Sequence, residues 1–264
     1  MCGIAGYSLS PAAPIDRTVA ARALLAGIAE RGADAVGYAY RGETRDVTVH
    51  KQRSGASALV EHVEVPDSAT QLLVHVRDYT KGHPSLAANN HPIRHGAVVG
   101  IHNGIIVNDD ELFEHESIER AEADMTVDSE IIFALAERSR GRTARALERL
   151  VGSMATAWVD EGRKELLLAR GMGRPMWLGT SDGALFFAST RHALELVEAY
   201  APVRLRKREL GTGRVVAVDE GRVVGRASFR PDMSFVESVE LPAVRAPHER
   251  EATLRRLAAL HAAA

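Results

Sequence analysis

Cysteine is almost absent from this chain, with one residue, Cys2, among 264. A single thiol excludes an intramolecular disulfide framework and fits a reducing compartment. No basic segment at the N-terminus leads into an apolar run, and no stretch approaches the ~18 apolar residues of a membrane helix. A cytoplasmic location is therefore expected, and a membrane role is not. An excess of charge of one sign is lacking as well. The 33 Lys and Arg nearly balance 35 Asp and Glu, and a net charge of −2 gives no basis for a nucleic-acid surface. The crowd of histidines His75, His83, His91, His95 and His102 comes without an HExxH pattern or finger-spaced cysteines, so no metal site is expected. No strand is followed at once by a glycine-rich loop and helix, which argues against a dinucleotide fold. No internal repeat or low-complexity tract interrupts the chain, and no cofactor is implied.

What is present is ordinary for a globular protein: 45% hydrophobic and 26% charged residues, in a chain long enough for one large domain or two small ones. The first strand is read over Gly3 to Tyr7. A helix capped by Asp16 carries Val19, Ala20, Ala23, Leu24, Gly27 and Ile28 and stops at Arg31-Gly32. Strands over Val36 to Arg41 and Arg45 to Lys51 form a hairpin, and Gln71 to Val76 reads as an inner strand. After the polar stretch from Arg77 to His95, the apolar run Ala97 to Ile101 leads into His102-Asn103-Gly104. Helices are expected from Asp109, from Thr126 or Asp128, and over Arg142 to Leu150. Short strands follow at Ser153 to Asp160, Glu165 to Ala169, Met176 to Leu178 and Leu185 to Ala188. A helix spans His192 to Ala199, and strands lie near Val203 to Leu205, Arg214 to Val218 and Arg222 to Phe229. A terminal helix, Glu249 to Ala263, shows Leu254, Leu257, Ala258 and His261 as its stripe. Many short strands with helices between groups of them predict an α+β fold with largely antiparallel sheets.

Chemistry concentrates at few positions. If Met1 is removed, Cys2 carries a thiol and a free α-amine on one residue. The amine's reference pKa of about 7.7–8.0 makes it a better base near neutrality than a lysine at about 10.4. An Asn followed by Gly, as in Asn103-Gly104, offers a side-chain amide donor beside an unobstructed backbone N–H, the parts of an oxyanion hole. Taken alone, though, Asn-Gly reads as a hairpin turn. Arg77 at the exit of a strand can fork onto a carboxylate. Asp128 can hold an ammonium group, or simply cap a helix.

Taken together, Cys2-Gly3-Ile4-Ala5-Gly6, Arg31-Gly32-Ala33-Asp34-Ala35-Val36-Gly37, Arg77 with Thr80 and Gly82, His102-Asn103-Gly104-Ile105-Ile106-Val107-Asn108 and Asp128-Ser129-Glu130 resemble the class II glutamine amidotransferases. These are N-terminal-nucleophile (Ntn) hydrolases, and the likeness runs from Cys2 to about Val218. It implies a four-layer αββα sandwich with two mostly antiparallel sheets. The glutaminase domain would span residues 1–231, with a C-terminal tail and helix, 232–264, packing on it. The resemblance also implies roles. Cys2 attacks the side-chain amide of glutamine, and the Asn103 side chain and Gly104 N–H hold the oxyanion. Arg77 clamps the α-carboxylate and Asp128 the α-ammonium, with Thr80, Gly82 and His102 at the pocket. The products are glutamate and ammonia, the ammonia passing to a separate synthase subunit; homo-oligomerisation is left open.

The pocket loop departs from the sugar-phosphate synthases of the family, which usually have Trp-Ala between Arg and Thr and a His after it. Here those positions hold Asp78, Tyr79 and Lys81, with Asp78 placed to compete for the Arg77 guanidinium. Two other readings stay open: a stand-alone amidohydrolase of another γ-glutamyl amide, and a catalytically silent binding or regulatory module on the same fold.

Overall fold

The Gly-Ile-Ala-Gly-Tyr-Ser-Leu stretch shows no alternation of apolar and polar residues, and the reason is that it is covered on both faces. In a computed structural model describing residues 2–42, 44–139, 141–237 and 242–263, this is strand β1 (Gly3–Leu9), buried throughout. Ala5, Tyr7 and Leu9 face a helical layer, and Ile4 faces a second sheet.

The chain leaves β1 for helix α1 (Arg17–Ile28), where the Asp16 side chain accepts the Val19 N–H at 2.8 Å as N-cap. A 3-10 turn, Ala29–Arg31, ends it. The hairpin β2 (Ala35–Arg41) and β3 (Val47–Gln52), the short α2 (Ala56–Leu59) and β4 (Gln71–Arg77) follow. Next come β5 (Ile93–His95), β6 (Val98–Ile106) and the helices α3 (Asp109–His115), α4 (Glu130–Arg138) and α5 (Thr143–Leu147). Strands β7 (Gly152–Asp160), β8 (Leu166–Arg170), β9 (Trp177–Ser181) and β10 (Ala184–Ala188) precede α6 (Arg191–Tyr200). The order closes with β11 (Arg206–Glu209), β12 (Arg214–Asp219), β13 (Arg222–Ser228) and α7 (Pro247–Ala263).

Seven strands form one sheet in the order β11-β9-β10-β1-β4-β2-β3, and six form the other, β13-β12-β8-β7-β6-β5. All strand pairings in both are antiparallel. Three cores separate four layers. Leu24, Ile28, Leu72, Val74 and Leu194 lie between the first sheet and α1 and α6. Ile4, Leu73, Ile101, Ala155 and Phe187 join the two sheets. Ile132, Phe133, Leu135 and Trp158 join the second sheet to α4. This is the αββα sandwich of the Ntn amidotransferases. Close approach of α1 and α6 depends on Gly27, where a Cβ would fall 2.4 Å from Ala193 Cα. Among the described residues no helix is long and apolar enough to cross a membrane.

Four sequence expectations need correction. Asn103-Gly104 is not a hairpin turn; both residues lie inside β6, paired with Ala155 and Met154 of β7. The helix expected from Thr126 or Asp128 begins at Glu130. The strand expected near Val203 to Leu205 is β11, beginning at Arg206, because Leu205 turns into the core beneath α6. Helix α7 buries Glu249, Thr253 and Leu257, while Ala258 and His261 are exposed. Glu249 faces inward because its carboxylate accepts the Ser57 N–H (2.8 Å) and hydroxyl (3.2 Å), a polar contact that hydrophobic periodicity misses.

Candidate active site

Strand register brings the first parts of the site together. Gly3 lies opposite Val76 and Ala35 opposite Arg77, so the entry of β1, the exit of β4 and the entry of β2 meet at one end of the seven-stranded sheet. Cys2 is thereby held beside the loop that follows Arg77, its Sγ 3.5 Å from the Asp78 carbonyl oxygen. The Arg31–Asp34 turn braces both. Arg31 Nε donates to the Cys2 carbonyl (2.9 Å), the Asp34 N–H donates to the Arg77 carbonyl (3.0 Å), and Asp34 Oδ2 accepts the Tyr79 N–H (2.9 Å). Gly32 passes so close that a Cβ would lie 2.3 Å from the Arg77 carbonyl oxygen.

The second sheet supplies the opposite wall. His75 Nε2 in β4 donates to the His102 carbonyl in β6 (3.1 Å), tying the two sheets together at the site. His102 is buried between Ser129 Oγ, 2.8 Å from its Nδ1, and the Ser153 carbonyl, 3.3 Å from its Nε2. Burial lowers its pKa to about 3, outweighing the bond to Ser153, so the ring is neutral. Nε2 therefore carries the proton given to Ser153, and Nδ1 accepts from the serine. Gly104 follows at φ +151°, a backbone region favouring glycine, and a Cβ there would lie 1.9 Å from the Ser153 oxygen.

Cys2, Arg77, Thr80, His102, Gly104 and Asp128 border one narrow cleft, whose free volume of about 10 Å³ is that of a single water. Two expected site residues do not border it. Gly82 stands behind the loop at φ +77°, where a Cβ would meet Asn89 Cγ at 2.9 Å. Asn103 lies fully buried beneath the cleft floor, and among the described residues neither its amide nitrogen nor its oxygen has a hydrogen-bond partner. Buried polar groups are rarely left so.

The two charged expectations differ in their surroundings. Arg77 is almost fully buried and already donates to Asn90 Oδ1 (2.6 Å), the Lys81 carbonyl (2.9 Å) and the Gly82 carbonyl. The Asp78 carboxylate pairs with Arg245 Nε (3.1 Å), so the neighbour placed to compete for Arg77 has its own cation. Asp128 is buried and, among the described residues, accepts the Ile106 N–H (2.8 Å), while the Ser129 hydroxyl oxygen, its proton given to His102, stands 3.4 Å away. Burial pushes its pKa up to about 6, the Ile106 bond opposing the rise only in part. Burial also pushes the Cys2 thiol up, against the opposing contact to Asp78.

Several residues at the site were given no role there from the sequence. Asn90 holds the Arg77 guanidinium, and Ser129 holds His102. His91 borders the cleft, stacked on His75 with ring centroids 4.1 Å apart, and neither of its ring nitrogens has a partner among the described residues. The only signal for Asn90 was its place in the long polar stretch before β5, and His91 was noted only as one of a crowd of histidines. No group of three or more metal-ligating side chains occurs among the described residues.

Comparison with known proteins agrees with this geometry. The model of the glutamine amidotransferase domain family matches residues 75–196. A glutamine–fructose-6-phosphate aminotransferase (isomerizing) of Gluconobacter oxydans is 30% identical over 203 residues, 74% of this chain and 32% of the relative. The enzyme of the same description from Chlorobaculum tepidum is 29% identical over 260 residues, 91% of this chain and 38% of the relative. The chain thus spans about a third of the length of these curated relatives. A solved glutamine phosphoribosylpyrophosphate amidotransferase from B. subtilis shares the fold at a TM-score of 0.68 and 20% identity, over 88% of this chain and 50% of that one. Family match, aligned relatives and shared architecture point the same way: residues 75–196 match the glutamine amidotransferase domain family, and the chain is similar in sequence and fold to class II glutamine amidotransferases.

Proposed function

We propose that the protein hydrolyses the side-chain amide of glutamine to glutamate and ammonia through a Cys2 thioester, and delivers the ammonia to a separate synthase. The observation carrying this reading is the cleft that Cys2 at the tip of β1 shares with Gly104 of β6, whose neighbour Asn103 has a buried amide without a hydrogen-bond partner among the described residues. With Met1 removed, the α-amine of Cys2 takes the thiol proton as Sγ attacks the amide carbon. Met1 itself lies outside the described residues. The tetrahedral oxyanion accepts from Asn103 Nδ2–H and the Gly104 N–H. Collapse returns the proton to the departing ammonia, and water then hydrolyses the thioester.

Arg77 and Asp128 read the two charges of the amino-acid head, Arg77 as the buried cation held in place by Asn90 and the Lys81 and Gly82 carbonyls. Thr80 and His102 shape the wall, and Gly82 lets the loop turn behind it. The glutaminase unit spans residues 1–231, with 232–264 packed against it.

Purified protein is expected to release ammonia from glutamine, with an intact mass showing a chain that starts at Cys2. A preparation that retains Met1 and is still active would overturn the mechanism. Preferential turnover of other γ-glutamyl amides would move the assignment to an amidohydrolase.

Asp128 gives the reading a pH signature. Only the carboxylate attracts an ammonium, so below about 6 kcat/KM for glutamine should fall by a further tenfold per pH unit, beyond the loss from protonation of the Cys2 amine. Asp128→Asn should raise KM about 10- to 100-fold and abolish that limb. Stability moves the other way. A carboxyl whose folded pKa is raised binds more protons folded than unfolded, so its stabilising effect is full at low pH and lost as pH rises through about 6. The ionised group thus costs on the order of 3 kcal/mol at neutral pH, and the Asn variant should melt higher than the parent at pH 7.5. A lower melting temperature there would contradict the unpaired carboxylate.

A further inference from the structure

Lys81 borders the same cleft as Asp128, on the loop that follows Arg77. A lysine stem is long and flexible, and a cation so placed is a natural partner for a buried carboxylate. It is nevertheless engaged elsewhere. Its Nζ lies 2.7 Å from both oxygens of Asp109 and 2.7 Å from Asp110 Oδ2. An ammonium has three N–H donors, and three carboxylate oxygens meet them, so none remains for Asp128. Partial burial works against the lysine charge, but these bonds outweigh it and hold the ammonium above its ordinary range.

The two aspartates are themselves fixed. Asp109, buried, and Asp110, mostly exposed, open helix α3. Arg120 Nη2 bonds both, at 3.2 Å and 2.7 Å, while its Nη1 reaches Glu130 Oε2 at 3.2 Å. The ladder thus runs away from the cleft, drawing Lys81 with it.

We infer that Asp109 and Asp110 are positioning residues that hold the Lys81 ammonium off Asp128, leaving that carboxylate free to read the α-ammonium of the substrate. The inference rests on the proposed function and makes the pocket select for ligands with an uncapped α-amine. Released from the ladder, Lys81 swings onto Asp128, cancels its charge and competes with the ligand.

The test is the Asp109→Asn/Asp110→Asn double variant, alone and combined with Lys81→Met. The double variant should raise KM for glutamine about tenfold while kcat moves far less. Adding Lys81→Met should restore KM, because the competitor is gone. If the aspartates serve only to anchor the loop, removing Lys81 restores nothing, and the inference fails. A second readout does not need turnover: because the Asp109 charge itself raises the Asp128 carboxyl, the downward shift that Asp109→Asn/Asp110→Asn produces in its NMR titration should be larger with Lys81 present than in the Lys81→Met background. Equal shifts in the two backgrounds overturn the inference even where glutamine is hydrolysed. Absence of hydrolysis in the parent overturns the proposed function and leaves the NMR outcome to judge this one. Asp110→Asn alone, on an exposed side chain, should shift both readouts the same way if the double variant does not fold.

Discussion

Replacing Cys2 by serine is expected to lower ammonia release from glutamine by roughly 10³-fold or more, with circular dichroism and melting temperature unchanged. The thiol is half-buried at the tip of β1, and among the described residues its one side-chain hydrogen bond is a long contact to the Asp78 carbonyl, 3.5 Å away. Little packing is lost when oxygen replaces sulfur, so an effect on rate alone is the signature of a nucleophile. Serine is also small enough for Met1 removal, which keeps the α-amine in place and isolates the change to the attacking atom. Activity within tenfold of the parent would mean that the sulfur forms no thioester.

Asn103→Ala should lower kcat by about 10²–10³-fold with KM little changed, the range seen when one oxyanion donor is removed. The accompanying stability change discriminates between roles. A structural asparagine would leave broken hydrogen bonds behind and destabilise the fold. Asn103 has no partner to abandon among the described residues, and its removal relieves a buried, unsatisfied amide whose cost is on the order of 1–3 kcal/mol. The variant should therefore be slower and no less stable than the parent, as read by steady-state kinetics and thermal melting side by side. A slower enzyme that also melts several degrees lower would point to a packing role for this residue.

The architecture was largely legible because its strands and helices follow local rules. Asp16 caps as a cap residue should, and Gln71 to Val76 reads as an inner strand because both of its faces are covered. Misreadings arose where distant groups decide. Asn103-Gly104 carries a turn signal, yet pairing with β7 draws it into a strand, and only the approach of Ser153 explains the glycine. The inward face of α7 was misjudged because Ser57, nearly two hundred residues earlier in the chain, satisfies Glu249. At the site, Cys2, Arg77, Thr80, His102, Gly104 and Asp128 could be gathered from a motif pattern. The partners that tune them could not. Asn90 on Arg77 and the aspartates on Lys81 depend on how one loop folds back across a cleft, and no local periodicity records that.

Strand β1 is flanked on both sides, by β4 and by β10, in the interior of the seven-stranded sheet. Edge strands can fray one bond at a time; an interior one is released only when its neighbours let go as well. The Cys2 sulfur, proposed as the nucleophile, thus sits at the end of an interior strand, where release requires both neighbours to part. Thermal motion sufficient to misplace it would have to dismantle the sheet, so loss of catalytic alignment and loss of the native state would be the same event.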